Sequence, residues 1–130
     1  MRLDLITIVV DDYDQAIDFF TGILAFDLVE DSPSLTNDGR PKRWVVVRPP
    51  EAQTGILLAR ADGPRQTAVV GNQVAGRVGF FLRVDDFDAA YERMVAGGVE
   101  FVSSPRTEAY GRVAVFRDIA GNHWDLLGPP

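Results

Sequence analysis

One stretch of this chain occurs twice. Val10-Asp11-Asp12-Tyr13-Asp14-Gln15-Ala16 returns 74 positions later as Val84-Asp85-Asp86-Phe87-Asp88-Ala89-Ala90. Each copy follows an apolar run, Ile6 to Val10 and Phe80 to Val84, and each precedes a helical pattern and further apolar runs. A repeat of this length means one supersecondary unit used twice, with a surface shared between the copies. That shared surface is where a ligand is expected.

The order of elements within each copy follows from local chemistry. Ile6 to Val10 is short and rich in β-branched residues, and reads as a strand. Asp11 or Asp12 then caps a helix whose apolar face is Tyr13, Ala16, Ile17, Phe20 and Leu24. Strands are expected at Phe26 to Glu30, Trp44 to Arg48 and Gly55 to Arg60. Turns are expected at Asp31 to Ser34 and Asn37 to Gly39. The second copy reads as a strand at Gly79 to Val84, then a helix capped by Asp85 or Asp86 with Phe87, Ala90, Tyr91, Met94 and Val95 inward. Strands follow at Val99 to Val102, Arg112 to Arg117 and His123 to Leu127. The expected fold is α+β: two β-α-β-β-β modules whose curved mixed sheets enclose a cleft. Module one is about residues 3–60, a linker 61–77 and module two about 78–128, together one domain over 1–130.

Composition removes several classes of function. There is no cysteine, so disulfides, zinc–thiolate sites and thiol nucleophiles are excluded. A net charge of −6 disfavours binding to nucleic acid. No run of apolar residues is long enough for a membrane span, and Met1-Arg2-Leu3-Asp4 does not open like a signal peptide, so the expected address is cytoplasmic. The charge is uneven. Between Gly39 and Arg83 there are eight basic residues, opposed within that stretch only by Glu51 and Asp62. Two readings stand: surface patterning between strands, or an arginine facing an anionic small molecule.

The paired modules, the Asp-rich helix caps and the closing Phe116-Arg117-Asp118-Ile119-Ala120-Gly121-Asn122 resemble the vicinal oxygen chelate superfamily, also called the glyoxalase/bleomycin-resistance/dioxygenase superfamily. The resemblance runs from about Leu5 to Leu127, with Ile119 where the family more often has proline. It implies a homodimer and a small-molecule ligand in the inter-module cleft. In metal-using members four His or Glu ligands come from the first and last strands of each module. Those positions fall here at Leu5, Leu57, Gly79 and Asp125, of which only Asp125 has a ligating side chain. The expectation is therefore a small-molecule binding protein without the family metal. Two alternatives stand beside it: a metal-dependent lyase, isomerase or ring-cleaving dioxygenase using a divalent metal held elsewhere, and a non-catalytic interaction domain.

Strand parity names the candidate residues. If Asp125 faces the cleft, so does His123, two positions away, while Trp124 points to the core. His123 and Asp125 are the candidate catalytic pair, or else polar anchors. Thr7, Leu57, Phe81 and Arg83 share the same face, with Arg83 read as a possible ion-pair partner of Asp125. Trp44 and Tyr110, near strand starts or turns, are candidates for stacking on a flat ligand. The aspartate clusters read as helix caps, since the spacing of a calcium loop is missing. Ser32, Ser34, Ser103 and Ser104 sit in turns without the setting of a nucleophile.

Overall fold

A computed structural model describes all 130 residues. They divide into two compact units, Met1–Val70 and Gly71–Pro130. No helix is long and apolar enough to cross a membrane.

The first unit runs β1 (Leu5–Val10), α1 (Tyr13–Ile17), a π-helix (Asp18–Ile23), β2 (Asp27–Leu35), β3 (Pro41–Arg48), β4 (Gly55–Arg60) and α2 (Pro64–Thr67). Its sheet has the order β1-β4-β3-β2, with β1 parallel to β4 and the other neighbours antiparallel. The second unit runs β5 (Val78–Arg83), α3 (Phe87–Ala96), β6 (Arg106–Glu108), β7 (Gly111–Arg117) and β8 (His123–Gly128). Its sheet, β5-β8-β7-β6, has the same wiring.

The repeated aspartates do what their position demands. Asp12 accepts from the Gln15 amide at 2.8 Å, and Asp86 from the Ala89 amide at 3.1 Å. Each cap satisfies one of the orphan N–H groups of a helix start. In the first unit the α-helix then widens. The Leu24 amide donates to the Phe19 carbonyl, five residues back, and the Thr21 hydroxyl to the Ile17 carbonyl. The wider turn brings adjacent Phe19 and Phe20 inward together, edge to face at 5.3 Å, where α-helical spacing expected Phe20 alone. Burying one such ring is worth roughly 1.5–3 kcal/mol.

Two expected elements differ. Asp31 to Ser34 is no turn: β2 continues through it, pairing Ser32 with Trp44 and Pro33 with Arg43. Proline is tolerated there because β2 is an edge strand and no neighbour needs its missing N–H. Val99 to Val102 is no full strand: Phe101 makes a single bridge to Phe116, and the edge strand is β6 instead. At that point the Ser103 hydroxyl takes the Val115 amide at 3.1 Å, replacing a backbone carbonyl and breaking the ladder.

Alternation sets the inward faces. Ile8, Val10, Val45, Val47 and Leu58 pack under the helical side of the first sheet, and Phe116, Trp124 and Leu126 do so in the second. The turn before β8 is held by Asp118, which is 6% exposed. Its carboxylate accepts from the amides of Ala120, Gly121 and Asn122 at 2.9, 2.9 and 3.0 Å, from Asn122 Nδ2 at 3.2 Å and from Trp124 Nε1 at 2.9 Å. This fixes Trp124 inward, between Phe80 and Phe116, and so turns His123 and Asp125 to the opposite face.

Candidate functional site

The face of the first sheet that points away from α1 is built in rows. Thr7, Leu57, Val46 and Glu30 are in register across β1, β4, β3 and β2. Beyond it, Val9 pairs with Ala59 and Trp44 with Ser32. A cavity of about 460 Å³ opens where β3 and β4 cease to pair beyond Val45 and Leu58, with Tyr13 of α1 also in its lining. Trp44, Leu57 and Ala59 give it an apolar floor, and the β2–β3 connection (36–40) and the segment after β4 (61–66) give it polar walls. Trp44 is 37% exposed, accessible to a ligand yet anchored in β3.

Two arginines of the walls are fully committed. Arg40 donates to both oxygens of Asp62, at 3.0 and 2.6 Å, and to Asp38 at 3.0 Å, clasping the two walls together. Arg43 donates to Asp31 at 2.7 Å and Asp14 at 2.9 Å. The hydrogen bond from Arg40 holds Asp62 below the usual carboxylate range. Asp38 is held there by its hydrogen bonds from Thr36 and Arg40, and Asp31 by its bond from Arg43. Tyr13 lies below, its ring flanked by the guanidiniums of Arg43 and Arg60 at 5.1 and 5.2 Å, and its hydroxyl accepting the Arg43 amide. Two cations of the arginine-rich stretch, Arg40 and Arg43, are thus paired with carboxylates. Three of its carboxylate partners, Asp14, Asp31 and Asp38, lie outside the stretch in sequence and could not be paired with it by reading along the chain.

The sequence-derived candidates separate between the units. Trp44 and Leu57 line the cavity, and Thr7 adjoins Leu57 in register. Phe81, Arg83, His123 and Asp125 share one face of the second sheet, where Phe81 is 63% exposed and in register with Asp125. Arg83 forms no ion pair with Asp125. Burial raises the Asp125 carboxyl, and the cation that partly offsets this is Arg106, itself bonded to Glu108 at 2.8 Å. His123 is engaged at both ring nitrogens: Nδ1 lies 3.2 Å from the Gly76 carbonyl and Nε2 accepts from Arg117 at 3.3 Å. With Nε2 accepting from Arg117, the Nδ1–H is the donor to the Gly76 carbonyl, and both contacts lead away from Asp125. Tyr110 stands 58% exposed in the β6–β7 turn. Sequence reasoning missed Tyr13, Arg40, Arg60, Asp62 and Gln66 as cavity residues. Tyr13 carried only a helix-face signal, Arg40, Arg60 and Asp62 only their place in the basic stretch, and Gln66 none.

A divalent metal does not fit the family's four positions. Leu5, Leu57 and Gly79 offer no side-chain donor beside Asp125, and no three His, Cys, Asp or Glu side chains converge as a metal-holding group.

Comparison with known proteins agrees with this architecture. The profile described as Glyoxalase/Bleomycin resistance protein/Dioxygenase superfamily matches residues 2–126. A protein of Shewanella frigidimarina, whose own role is uncharacterised, is 51% identical over 123 residues, covering 94% of this chain and 89% of that protein. The crystal structure of UcmS2 is 31% identical, with a TM-score of 0.79 over 98% of this chain and 97% of its own. TnmS3, an antibiotic binding protein from Streptomyces sp. CB03234, is 31% identical with a TM-score of 0.78, over 100% of this chain and 97% of its own.

Proposed function

The chain belongs to the Glyoxalase/Bleomycin resistance protein/Dioxygenase superfamily, and from that premise we propose that it is a metal-free binding protein for a small organic molecule. The observation that carries the reading is the first unit's cavity, of a volume suited to a drug-sized ligand, with an exposed tryptophan over an aliphatic floor and polar walls. The likeness to an antibiotic binding protein over the whole chain supports the same class of ligand. Binding here is enclosure: Trp44 supplies a flat stacking surface, Leu57 and Ala59 exclude water, and the clasped walls supply hydrogen bonds. The misfit of the family's metal positions supports a mechanism in which the ligand meets side chains and no metal ion.

The two tryptophans make the test direct. Trp124 is 3% exposed, so a ligand-induced change in indole emission reports on Trp44. Titration with a panel of polycyclic aromatic antibiotics should give saturable quenching that is lost in Trp44→Ala, whose fold is checked by circular dichroism. Melting midpoints in Zn, Ni, Mn and Fe(II) should stay at the metal-free value, because a ligand that binds only the folded state raises the midpoint. A midpoint rise with near-stoichiometric metal overturns the metal-free reading. The absence of any quenching ligand, with no organic molecule carried through purification by native mass spectrometry, overturns the binding reading.

A further inference from the structure

The cavity of the first unit lies where two strands part, and the hydrogen-bonding pattern of β4 says what the parting exposes. The Gly55 amide donates to the Asp4 carbonyl and the Ala61 amide to the Val10 carbonyl. Odd-numbered residues of β4 therefore turn their backbone groups to β1, and even-numbered ones turn theirs to β3. Leu58 with Val45 is the last pair on the β3 side, and the next, Arg60 with Arg43, is not made. The Arg43 amide, left without a β4 carbonyl, donates instead to the Tyr13 hydroxyl at 3.2 Å. Tyr13 thus stands at the opened edge of β3, 6% exposed, in the lining of the cavity. Its ring is held between the guanidiniums of Arg43 and Arg60, which fixes the hydroxyl in place. A phenolic hydroxyl can accept one bond and donate another. Here the acceptor side is used by Arg43, and the hydrogen has no partner in the protein.

We infer that the ligand of this cavity presents a carbonyl oxygen, of the ketone or quinone kind, to the Tyr13 hydroxyl at the gap between β3 and β4, and that Tyr13 selects for it. This rests on the binding function proposed above and names the ligand's chemistry. A ligand offering an N–H or O–H at that point is disfavoured, because the hydroxyl oxygen already accepts from Arg43. The two carboxylates of the lining, Asp38 and Asp62, are spent on Arg40 and give such a donor no alternative. A ligand that displaces water from beside Tyr13 without supplying an acceptor forfeits the bond.

The test compares 1-tetralone with tetralin, which share a bicyclic frame and differ by one carbonyl oxygen. Both are titrated into the full chain while the Trp44 indole N–H resonance is followed by NMR. Tetralone should bind about three- to tenfold more tightly, the range of one hydrogen bond gained. Without a donor the order reverses, because a buried carbonyl left unpaired costs affinity. In Tyr13→Phe the preference should be lost, with tetralin affinity unchanged. The carbonyl carbon of bound, carbon-13-labelled tetralone should also move upfield from its position in the wild type, a change that a merely structural role of Tyr13 would not produce. Equal or tighter binding of tetralin to the wild type, or a tetralone preference that survives in Tyr13→Phe, overturns the inference. Because the wild-type comparison stands alone, misfolding of the variant does not remove the test. If neither compound binds but another aromatic molecule quenches Trp44 emission, the carbonyl inference fails and the binding function stands. If nothing quenches Trp44, both fail.

Discussion

Removing the Asp118 carboxylate should unfasten the last strand of the second unit. In Asp118→Ala the donors of Trp124 Nε1, Asn122 Nδ2 and the Asn122 amide lose their shared acceptor, and Trp124 and Asn122 are 3% and 4% exposed. The Gly121 amide keeps the Asp118 backbone carbonyl at 3.0 Å, and the Ala120 amide is near enough to the surface to be hydrated. Three stranded donors at about 1–2 kcal/mol each give a loss of about 3–6 kcal/mol, a large part of the roughly 5–15 kcal/mol that holds a domain folded. For a chain of this size that corresponds to a fall of about 10–20 °C in melting midpoint. Asp118→Asn retains one acceptor oxygen but sets an NH₂ against the remaining donors, and should lose about half as much. Urea unfolding followed by Trp124 emission measures both. A loss below about 1 kcal/mol for Asp118→Ala, or an Asp118→Asn variant as stable as the wild type, would refute the view that this carboxylate organises the turn.

Asp125→Asn should be more stable than the wild type at pH 7, with the gain vanishing near pH 3. Burial raises the Asp125 carboxyl in the folded state, so its ionised form penalises folding above that raised value, and below the unfolded value both forms are neutral. A gain independent of pH between 3 and 7 contradicts that origin. Gly111→Ala should destabilise by at least about 2 kcal/mol, because Gly111 has φ +131° and a Cβ there would overlap the Gly128 carbonyl oxygen. Gly22→Ala, in the π-helix with open space around it, should be neutral or stabilising by up to about 1 kcal/mol. Chemical denaturation of the pair checks both, and equal effects would show that local sterics do not decide them.

What the sequence revealed and concealed follows from the range of each signal. Asp12 and Asp86 act within three residues, so the caps and the helix starts could be read directly. Alternation acts within a strand, so the outward parity of Thr7, Leu57, Phe81 and Asp125 and the inward parity of Trp124 were legible too. The π-helix was not, because Phe19 and Phe20 are both apolar and only a widened turn makes neighbours face the same way. Nor was β2's passage through Pro33, which depends on that strand being an edge. The site suffered most. Arg40 finds Asp62 across 22 positions and Arg43 finds Asp14 across 29, pairings that a count of charges along the chain does not reveal. His123 illustrates the reverse: its parity with Asp125 was right, but the Gly76 carbonyl and Arg117 that occupy its ring could not be foreseen.

The parallel pairing of first strand to last also orders events in time. Leu5 has Gly55 as its partner across the β1–β4 ladder, and Val78 has His123 across the β5–β8 ladder. A chain emerging from the ribosome at roughly 5–20 residues per second therefore presents each opening strand several seconds before its mate exists. The β2–β3 hairpin can close during that wait, but β1 cannot. The nascent protein must carry Leu5 to Val10, one of its most apolar segments, unpaired until the closing strand of the same unit clears the exit tunnel.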